Sequence, residues 1–301
     1  MSIKLGNFIK NAISAVVLLF GIPFLIREWF CKNKVTVLLY HDVQPEILTK
    51  HIDYLCHHFN IISLDLLVTS IRNKHFSDIP PKSVVITIDD GHAGNIALLP
   101  IIKKYDIFPT IYVCTQIINT HRHFWFGIPA LSKKEKERLK RIPNVERLTH
   151  LRQASNFDQE KEYQDRHALS LNEMKQMMRY VNFEPHTRFH PILPNCTKTE
   201  CEQEIFGSKE DLEKLLGIKC HHFSYPNGDY TERELNFVKS AGYRSARTVD
   251  IGWNRSDTSP YKLKAIPISD DAGLIRFRAE LTGIPQRIVK RLNALLWRTT
   301  I

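Results

Sequence analysis

The chain has 301 residues, of which 43% are hydrophobic and 25% are charged, and its formal net charge is +10. This length allows one large α/β domain, and the composition excludes a disordered, collagen-like or fully membrane-embedded protein. The positive charge would suit nucleic acid, anionic lipid or an acidic glycan as a partner. Because no zinc-finger spacing or helix-turn-helix pattern is found, we expect no nucleic-acid partner. The six cysteines form no C-x-x-C pair, which favours free thiols.

The first predicted element is an apolar segment, Asn11 to Ile26, with basic residues on both sides. It has about 16 residues, fewer than the ~20 of a straight spanning helix, and it contains Gly21 and Pro23. We therefore predict that residues 1–34 associate with a membrane as an uncleaved interfacial or re-entrant anchor, ranked above a spanning helix or a cleaved signal peptide. We expect a membrane-associated protein and favour the cytoplasmic face over the periplasmic side.

From residue 35 onward, short apolar runs alternate with amphipathic stretches of helical length, which is typical of a parallel α/β fold. The predicted strands are residues 35–40, 84–88, 110–114, 181–184, 222–225 and 265–268. The predicted helices are residues 46–58, 64–73, 94–104, 170–180, 199–216 and 231–240. Asp65, Ser170 and Thr231 occupy the positions expected of N-caps. We predict one domain over residues 35–270.

Two segments depart from this alternation. Residues 119–168 are polar and rich in loop-forming residues after an aromatic start, and we predict an insertion at one end of the domain. Residues 271–301 end in a basic amphipathic helix with Ile288, Leu292, Leu295 and Leu296 on one side. Such a helix suits an anionic membrane surface, or it packs on the domain.

Two adjacent carboxylates follow the apolar strand that ends at residue 88. Asp89 and Asp90 precede Gly91, so both side chains are expected at the carboxyl edge of the sheet, where α/β folds place their sites. Because like charges this close oppose each other's ionisation, a metal ligand beside a general base is a natural division of roles. A turn in which one aspartate caps the next helix is the alternative.

His186 and His190 have i, i+4 spacing after another predicted strand. On one helical turn this spacing points both imidazoles to the same side, as a metal requires. A chance pair is the alternative in a chain with 14 histidines. Two histidines with Asp90 would leave coordination positions for water and substrate, which indicates a catalytic metal site.

These residues resemble the NodB-homology polysaccharide deacetylases of carbohydrate esterase family 4. Thr87-Ile88-Asp89-Asp90-Gly91 is similar to the family's T-F-D-D-G, with isoleucine replacing phenylalanine, and His186-Thr187-x-x-His190 matches its H-T/S-x-x-H. Further similar segments are Leu39–Val43, Phe223–Gly228 (the family's F-x-Y-P-x-G), Gly242-Tyr243 and Gly252–Asn254. The resemblance covers most of the chain.

The resemblance implies a distorted (β/α) barrel of about seven strands, of the NodB type. It makes Asp90, His186 and His190 the ligands of a divalent metal, usually zinc. It makes Asp89 the base that takes a proton from the attacking water. This division of roles agrees with the physical argument, because a metal lowers the pKa of water and an adjacent carboxylate can complete the deprotonation.

The resemblance also implies an oxyanion contact at Tyr225 through its backbone N–H. We further predict substrate or oxyanion contacts at Asn227 and His41, although His41 could instead be a hydrogen-bonded structural residue at the mouth of the barrel. Two features depart from the family pattern: the segment 223–228 lacks an arginine that many members have, and no histidine follows His222. The general acid is therefore unassigned among His41, His92 and water at the metal.

The predicted function is a metal-dependent hydrolase that removes an N-acetyl or other acyl group from a cell-envelope polysaccharide or a lipid-linked sugar. Alternatives are a deformylase or another amidohydrolase acting on a lipid-linked amino sugar, and a catalytically inactive carbohydrate-binding relative. The last alternative gives no reason for a base beside a complete set of metal ligands.

Overall fold

The computed structural model describes the backbone of residues 3–298 and the side chains of residues 9–292. Its strands are β1 (Val35–Tyr40), β2 (Asn60–Ile61), β3 (Ser83–Ile88), β4 (Thr110–Val113), β5 (Asn182–Pro185), β6 (His222–Ser224), β7 (Ser245–Ile251) and β8 (Leu263–Pro267). Its α-helices are α1 (Ile3–Leu19), α2 (Ile22–Leu25), α3 (Pro45–His58), α4 (Leu64–Arg72), α5 (Leu99–Lys104), α6 (Lys133–Leu139), α7 (Asn144–Ser155), α8 (Leu171–Met177), α9 (Lys198–Leu216), α10 (Glu232–Ser240), α11 (Leu274–Glu280) and α12 (Ile284–Arg298). A π-helical turn, Ile26–Phe30, follows α2.

The strands follow the order β5-β4-β3-β1-β8-β7-β6 along the sheet, and β2 pairs with β3. The pairs β1–β8, β2–β3, β4–β5 and β6–β7 are parallel. Every residue of β1 and β3 is buried, as expected of parallel strands covered on both faces. This organisation confirms the predicted α/β fold with a mostly parallel sheet of about seven strands.

The described residues form two compact units. One comprises the described parts of Met1–Thr87, Val249–Thr258 and Lys264–Ile301. In it, β1 pairs with β8 through Leu38 opposite Ile266, and the Thr87 hydroxyl donates to the Leu38 carbonyl at 2.6 Å. The other unit comprises Ile88–Thr248 and Ser259–Leu263, with the β4–β5 pair and the paired parts of β6 and β7. The domain boundaries expected from the sequence stay a prediction.

All six predicted strands are present, with ends that differ by at most two residues. The prediction missed β7, because its sequence SARTVDI lacks the apolar run that marked the others. Ser245, Arg247 and Thr248 are nevertheless fully buried. Hydrogen bonds from the Arg247 guanidinium and the Thr248 hydroxyl compensate for burying these polar side chains.

Two of the three predicted N-caps are confirmed. Ser170 and Thr231 cap α8 and α10, each in a capping box with a glutamate three residues later. Asp65 was the wrong choice for α4, because the helix begins one residue before it. The hydroxyl of Ser63 accepts the Leu66 N–H at 3.2 Å and is the cap.

The segment 119–168 is more ordered than its composition indicates, because it contains α6 and α7. Its aromatic start is buried: Trp125 is 2% exposed and packs in a cluster with Leu139 and Leu151. These helices bury few apolar residues, so their strongly charged sequences lack the apolar periodicity by which a helix is predicted.

The cysteines are free, as predicted, and Cys56 is the exposed one among them. Burial raises the pKa of Cys31 and of Cys196 to about 12, so both remain thiols at neutral pH.

Both ends of the described chain are helical. Within it, no single helix is long and apolar enough to cross a bilayer; only the pair Ile9–Leu19 and Ile22–Phe30, bent by 69°, has the length and composition when taken together. The predicted C-terminal helix is confirmed as α12. Leu295 and Leu296 lie outside the described side chains, and residues 299–301 lie outside the described backbone.

Replacing the cap of α4 tests the corrected helix start. We expect Ser63→Ala to lower the free energy of unfolding by about 1 kcal/mol, because the Leu66 N–H loses its acceptor. Ser77→Ala, at an exposed serine in the same part of the chain, should change it by less than about 0.5 kcal/mol. Urea denaturation measures both, and equal effects of the two substitutions would contradict this cap.

Candidate metal site

The aspartate pair is held by a sharp turn after β3. Asp90 and Gly91 have positive φ angles of 72° and 71°. A Cβ on Gly91 would lie 2.7 Å from Cγ1 of Val113, so only glycine fits. The turn leaves both carboxylates buried, with Asp89 4% and Asp90 3% exposed.

The histidine pair reaches the same place from the end of β5, but not on a helix. The chain after Pro185 is irregular, and Thr187 and His190 have positive φ angles of 67° and 56°. The prediction of a helical turn was therefore wrong, although the two rings do come together. Their centroids lie 4.8 Å apart and their planes differ by 74°.

Three side-chain contacts hold the loop that carries the histidines. The carboxylate of Glu204 accepts the N–H groups of Arg188 and Phe189 at 2.7 and 3.1 Å. The Trp125 indole N–H donates to the carbonyl of His190 at 2.9 Å. The loop is thus tied both to α9 and to the 119–168 segment.

The donor atoms of Asp90, His186 and His190 are arranged as a metal site requires. Oδ1 of Asp90 lies 3.7 Å from Nε2 of His186 and 3.5 Å from Nε2 of His190. Ligands at zinc distances in a tetrahedral site are separated by about 3.4 Å, so a small adjustment would close the set around one ion. Steeply inclined ring planes let the two in-plane lone pairs converge.

Both imidazoles are prepared for this role. Nδ1 of His186 lies 2.7 Å from the Ser224 carbonyl, so the ring proton is assigned to Nδ1 and the lone pair to Nε2. Burial lowers the pKa of His190 to about 3, partly offset by Asp90, so the ring is neutral at pH 7. Neutral imidazole is the form that binds a metal.

A second group of possible ligands, His123, Asp165 and His167, does not make such a site. The two imidazoles stack with centroids 3.6 Å apart and planes 4° apart. Their lone pairs lie in parallel planes and do not converge on one ion. We interpret this group as a stacked pair in contact with the exposed Asp165 carboxylate.

Arg247 is the site residue that the sequence analysis missed. It is fully buried on β7, where it donates to Oδ2 of Asp89 and, at 2.5 Å, to the Ser224 hydroxyl. Its placement follows from the parallel β6–β7 register, in which Ser224 is opposite Arg247. The family pattern has its arginine within the segment matched by residues 223–228, which contains none. The available signal for Arg247 was a lone basic residue between Ala246 and Thr248. Oδ1 of Asp89 has no hydrogen-bond partner within the described part of the chain.

The predicted role of Tyr225 does not agree with the structure. Its backbone N–H donates to the Arg247 carbonyl at 3.1 Å and thus belongs to the β6–β7 pairing, so it is not available to an oxyanion. Asn227 lies two residues further on with φ of 56°, and its amide donates to Asp229 at 2.6 Å. A substrate contact of Asn227 stays a prediction.

The two candidate general acids lie in different compact units. His41 follows β1, and its N–H donates to Asp270 at 3.1 Å, so the Asp270 carboxylate orders this turn. His92 lies beside the candidate metal ligands, with Nε2 3.3 Å from Oδ2 of Asp90. The acid role of either histidine stays a prediction.

Aromatic side chains of the 119–168 segment border the histidines. The ring of Phe126 lies 4.8 Å from that of His190, edge to face, and Phe124 lies 4.9 Å from His92. Such an apolar border limits the access of water and lowers the local dielectric around a metal.

The chain is similar to known proteins in sequence and in fold. A family model described as polysaccharide deacetylase matches residues 77–246. YxkH of Bacillus subtilis, a polysaccharide deacetylase by name, is 24% identical over 190 residues, which are 62% of this chain and 52% of that protein. The chain thus spans about half the length of the curated relative that it matches.

Solved structures show the same fold. The Streptococcus pyogenes deacetylase PplD has a TM-score of 0.59 and 19% identity, over 86% of this chain and 98% of that one. IcaB from Ammonifex degensii has a TM-score of 0.60 and 16% identity, over 83% and 97%. This likeness confirms the distorted (β/α) barrel predicted from the sequence.

Removing the indole donor tests the support of the histidine loop. We expect Trp125→Phe to weaken the binding of zinc about 10- to 100-fold, because the His190 carbonyl loses its buried donor. Competition with a chromophoric chelator measures the affinity. Trp253→Phe, in the other compact unit, is the control and should leave it unchanged. Equal affinities of the three proteins would show that this hydrogen bond does not position His190.

Buried Glu184 gives a pH-dependent stability. Burial raises its pKa from 4.5 to about 7, although the N–H groups of His221 and His222 donate to it. The unfolded chain ionises this group near 4.5 and the folded protein only near 7, so its contribution to stability is lost as pH rises between these values.

Glu184→Gln removes this titration. In the metal-free proteins, the free energy of unfolding of the wild type should fall relative to that of the variant from pH 4.5 to about 7, and then level off. Urea denaturation at several pH values measures the difference. Glu202→Gln, at an exposed position on α9, should follow the wild type. A pH-independent difference for Glu184→Gln would contradict the raised pKa.

Proposed function

Because this chain belongs to the polysaccharide deacetylase family, we propose that it is a hydrolase that removes an N-acetyl or other acyl group from a glycan. The observation that supports this most is the convergence of Asp90, His186 and His190 beside Asp89 in a buried site. A protein that only bound sugars would not need Asp89, a further buried carboxylate that accepts a hydrogen bond from Arg247.

We propose that Asp90, His186 and His190 hold a divalent metal, with zinc the best match to two nitrogens and one carboxylate oxygen. When bound, such a metal lowers the pKa of water and polarises an acyl carbonyl. The donor distances, the inclined rings and the neutral state of His190 support this proposal.

The role that we propose for Asp89 is that of the general base. Its Oδ2 accepts from Arg247, whereas Oδ1 has no partner within the described part of the chain. Oδ1 is therefore the atom that takes the proton of the attacking water. Arg247 acts as a positioning residue, because its second bond, to the Ser224 hydroxyl, fixes the guanidinium and through it the carboxylate.

The substrate that we propose is an acylated cell-envelope glycan or a lipid-linked sugar at a membrane surface, with the cytoplasmic face favoured. Its support is the apolar and basic N-terminal segment together with the basic α12. A chain held at a bilayer meets a lipid-linked sugar at high local concentration.

Replacement of the base separates the roles of the two aspartates. We expect Asp89→Asn to lower kcat about 10²- to 10⁴-fold with the bound zinc unchanged, because the proton acceptor is removed and the ligands remain. Asp90→Asn should lower the zinc content itself. Acetate and formate release from N-acylated oligosaccharides measures activity, and elemental analysis measures zinc.

A chelator should stop acid release by the wild type, and added zinc should restore it. The proposal fails if the wild type, with zinc bound, releases no acid from any acylated sugar. It also fails if Asp89→Asn retains wild-type kcat, because another group would then be the base.

A further inference from the structure

Most exposed apolar side chains of the described chain lie in its terminal segments. Of the thirteen large hydrophobic residues exposed there, ten belong to α1, α2, the π-helical turn, α11 and α12, and an eleventh, Phe20, lies between α1 and α2. The most exposed include Leu19 at 82%, Phe20 at 69%, Trp29 at 80% and Ile275 at 67%. Exposed apolar side chains this concentrated mark an interaction surface.

The exposed side of α1 differs from that of a helix in water, because large apolar residues lie on it. Among its described side chains, Ser14 and Val17 are buried, 1% and 3% exposed, and Lys10 donates to the Ser269 hydroxyl at 3.0 Å on the same side. Leu19, its last residue, and Phe20, which follows it, are exposed. A helix that covers a protein core in water turns its apolar side inward, so the outward side of α1 is suited to an apolar environment.

These segments form one face because they pack together within one compact unit. The helix α1 contacts α11 and α12, and α2 contacts α11. We call their outward side the terminal face. If α1 crossed a bilayer, the helices packed against it, α11 and α12, would be drawn into the hydrocarbon core. The chain also bends by 69° after α1. An orientation along a surface satisfies both constraints.

The charge of the terminal face selects its partner. Residues 1–34 contain five basic residues and one acidic residue, and residues 284–298 contain four basic residues and no acidic one. These segments thus carry eight of the ten net positive charges of the chain. A second copy would oppose the same positive charge, whereas anionic lipid would neutralise it.

We propose that the terminal face docks flat on an anionic lipid surface, with Phe20, Phe24 and Trp29 inserted among the acyl chains and Lys290 and Arg291 at the headgroups. An amphipathic helix lies in the interface in this way. The inference deepens the proposed membrane-borne substrate, but its test uses no catalysis, so the two can fail separately.

The experiment measures sedimentation of the full chain with phosphatidylcholine vesicles, with and without phosphatidylglycerol. The wild type should bind the anionic vesicles more tightly. The triple variant Phe20→Ser, Phe24→Ser, Trp29→Ser should bind at least tenfold more weakly, by an order-of-magnitude expectation. Phe108→Ser is the matched control, because Phe108 is 44% exposed and lies outside the terminal face.

A charge reversal tests the second half of the proposal. Lys290→Glu, Arg291→Glu should reduce binding to anionic vesicles by at least about tenfold and leave binding to neutral vesicles unchanged. If the triple variant does not fold, tryptophan fluorescence decides: wild-type emission should shift to the blue on anionic vesicles, and the shift should be smaller in Trp29→Phe, which retains Trp297 of α12.

Three results would overturn the proposal. They are wild-type affinity in the folded triple variant, equal wild-type affinity for neutral and anionic vesicles, and a stable dimer that the triple variant dissociates. Acid release from a soluble acylated oligosaccharide is measured in parallel. The triple variant should retain the wild-type rate, so loss of docking is distinguished from loss of the deacetylase reaction.

Discussion

The site depends on one electrostatic constraint, the burial of two adjacent carboxylates. Asp89 and Asp90 are each less than 5% exposed, and an uncompensated buried charge costs several kcal/mol. The chain compensates them separately: Arg247 donates to Asp89, whereas Asp90 faces His186 and His190. Asp89 is thus paired with a protein cation, whereas Asp90 lies beside the two histidines. The difference in their proposed roles follows from these separate contacts.

The supports of the histidine loop make the 119–168 segment part of the site. Its Trp125 donates to the backbone of a proposed ligand, and its Phe126 packs against the ring of the same residue, His190. Glu204 on α9 holds the loop from the other side. A loop with two positive φ angles requires such outside support, because each strained residue costs of order 1–3 kcal/mol.

The sequence was sufficient to predict the features that depend on the pattern of apolar residues and on where the strands end. Apolar runs located six of the strands, and the ends of β3 and β5 placed Asp89, Asp90 and both histidines at one edge. The features that depend on loop conformation and on which strands pair could not be predicted from the sequence. His186 and His190 do lie together, but an irregular loop brings them together and not the helical turn that their spacing predicted. The Tyr225 N–H donates to β7, and Arg247 of β7 contacts Asp89. Neither interaction could be predicted, because the polar sequence of β7 did not indicate a strand.

Arg247 lies on β7, whereas both aspartates follow β3, and this separation has an evolutionary consequence. Side chains alternate between the two faces of a strand, so a shift of the β6–β7 pairing by one residue would turn Arg247 away from Asp89 and bring a neighbour such as Ala246 into its place. Insertions and deletions within the α10 connection should be tolerated only where Ser224 stays opposite Arg247. Natural variation in the length of this connection is therefore constrained by the charge of an aspartate that is distant in sequence.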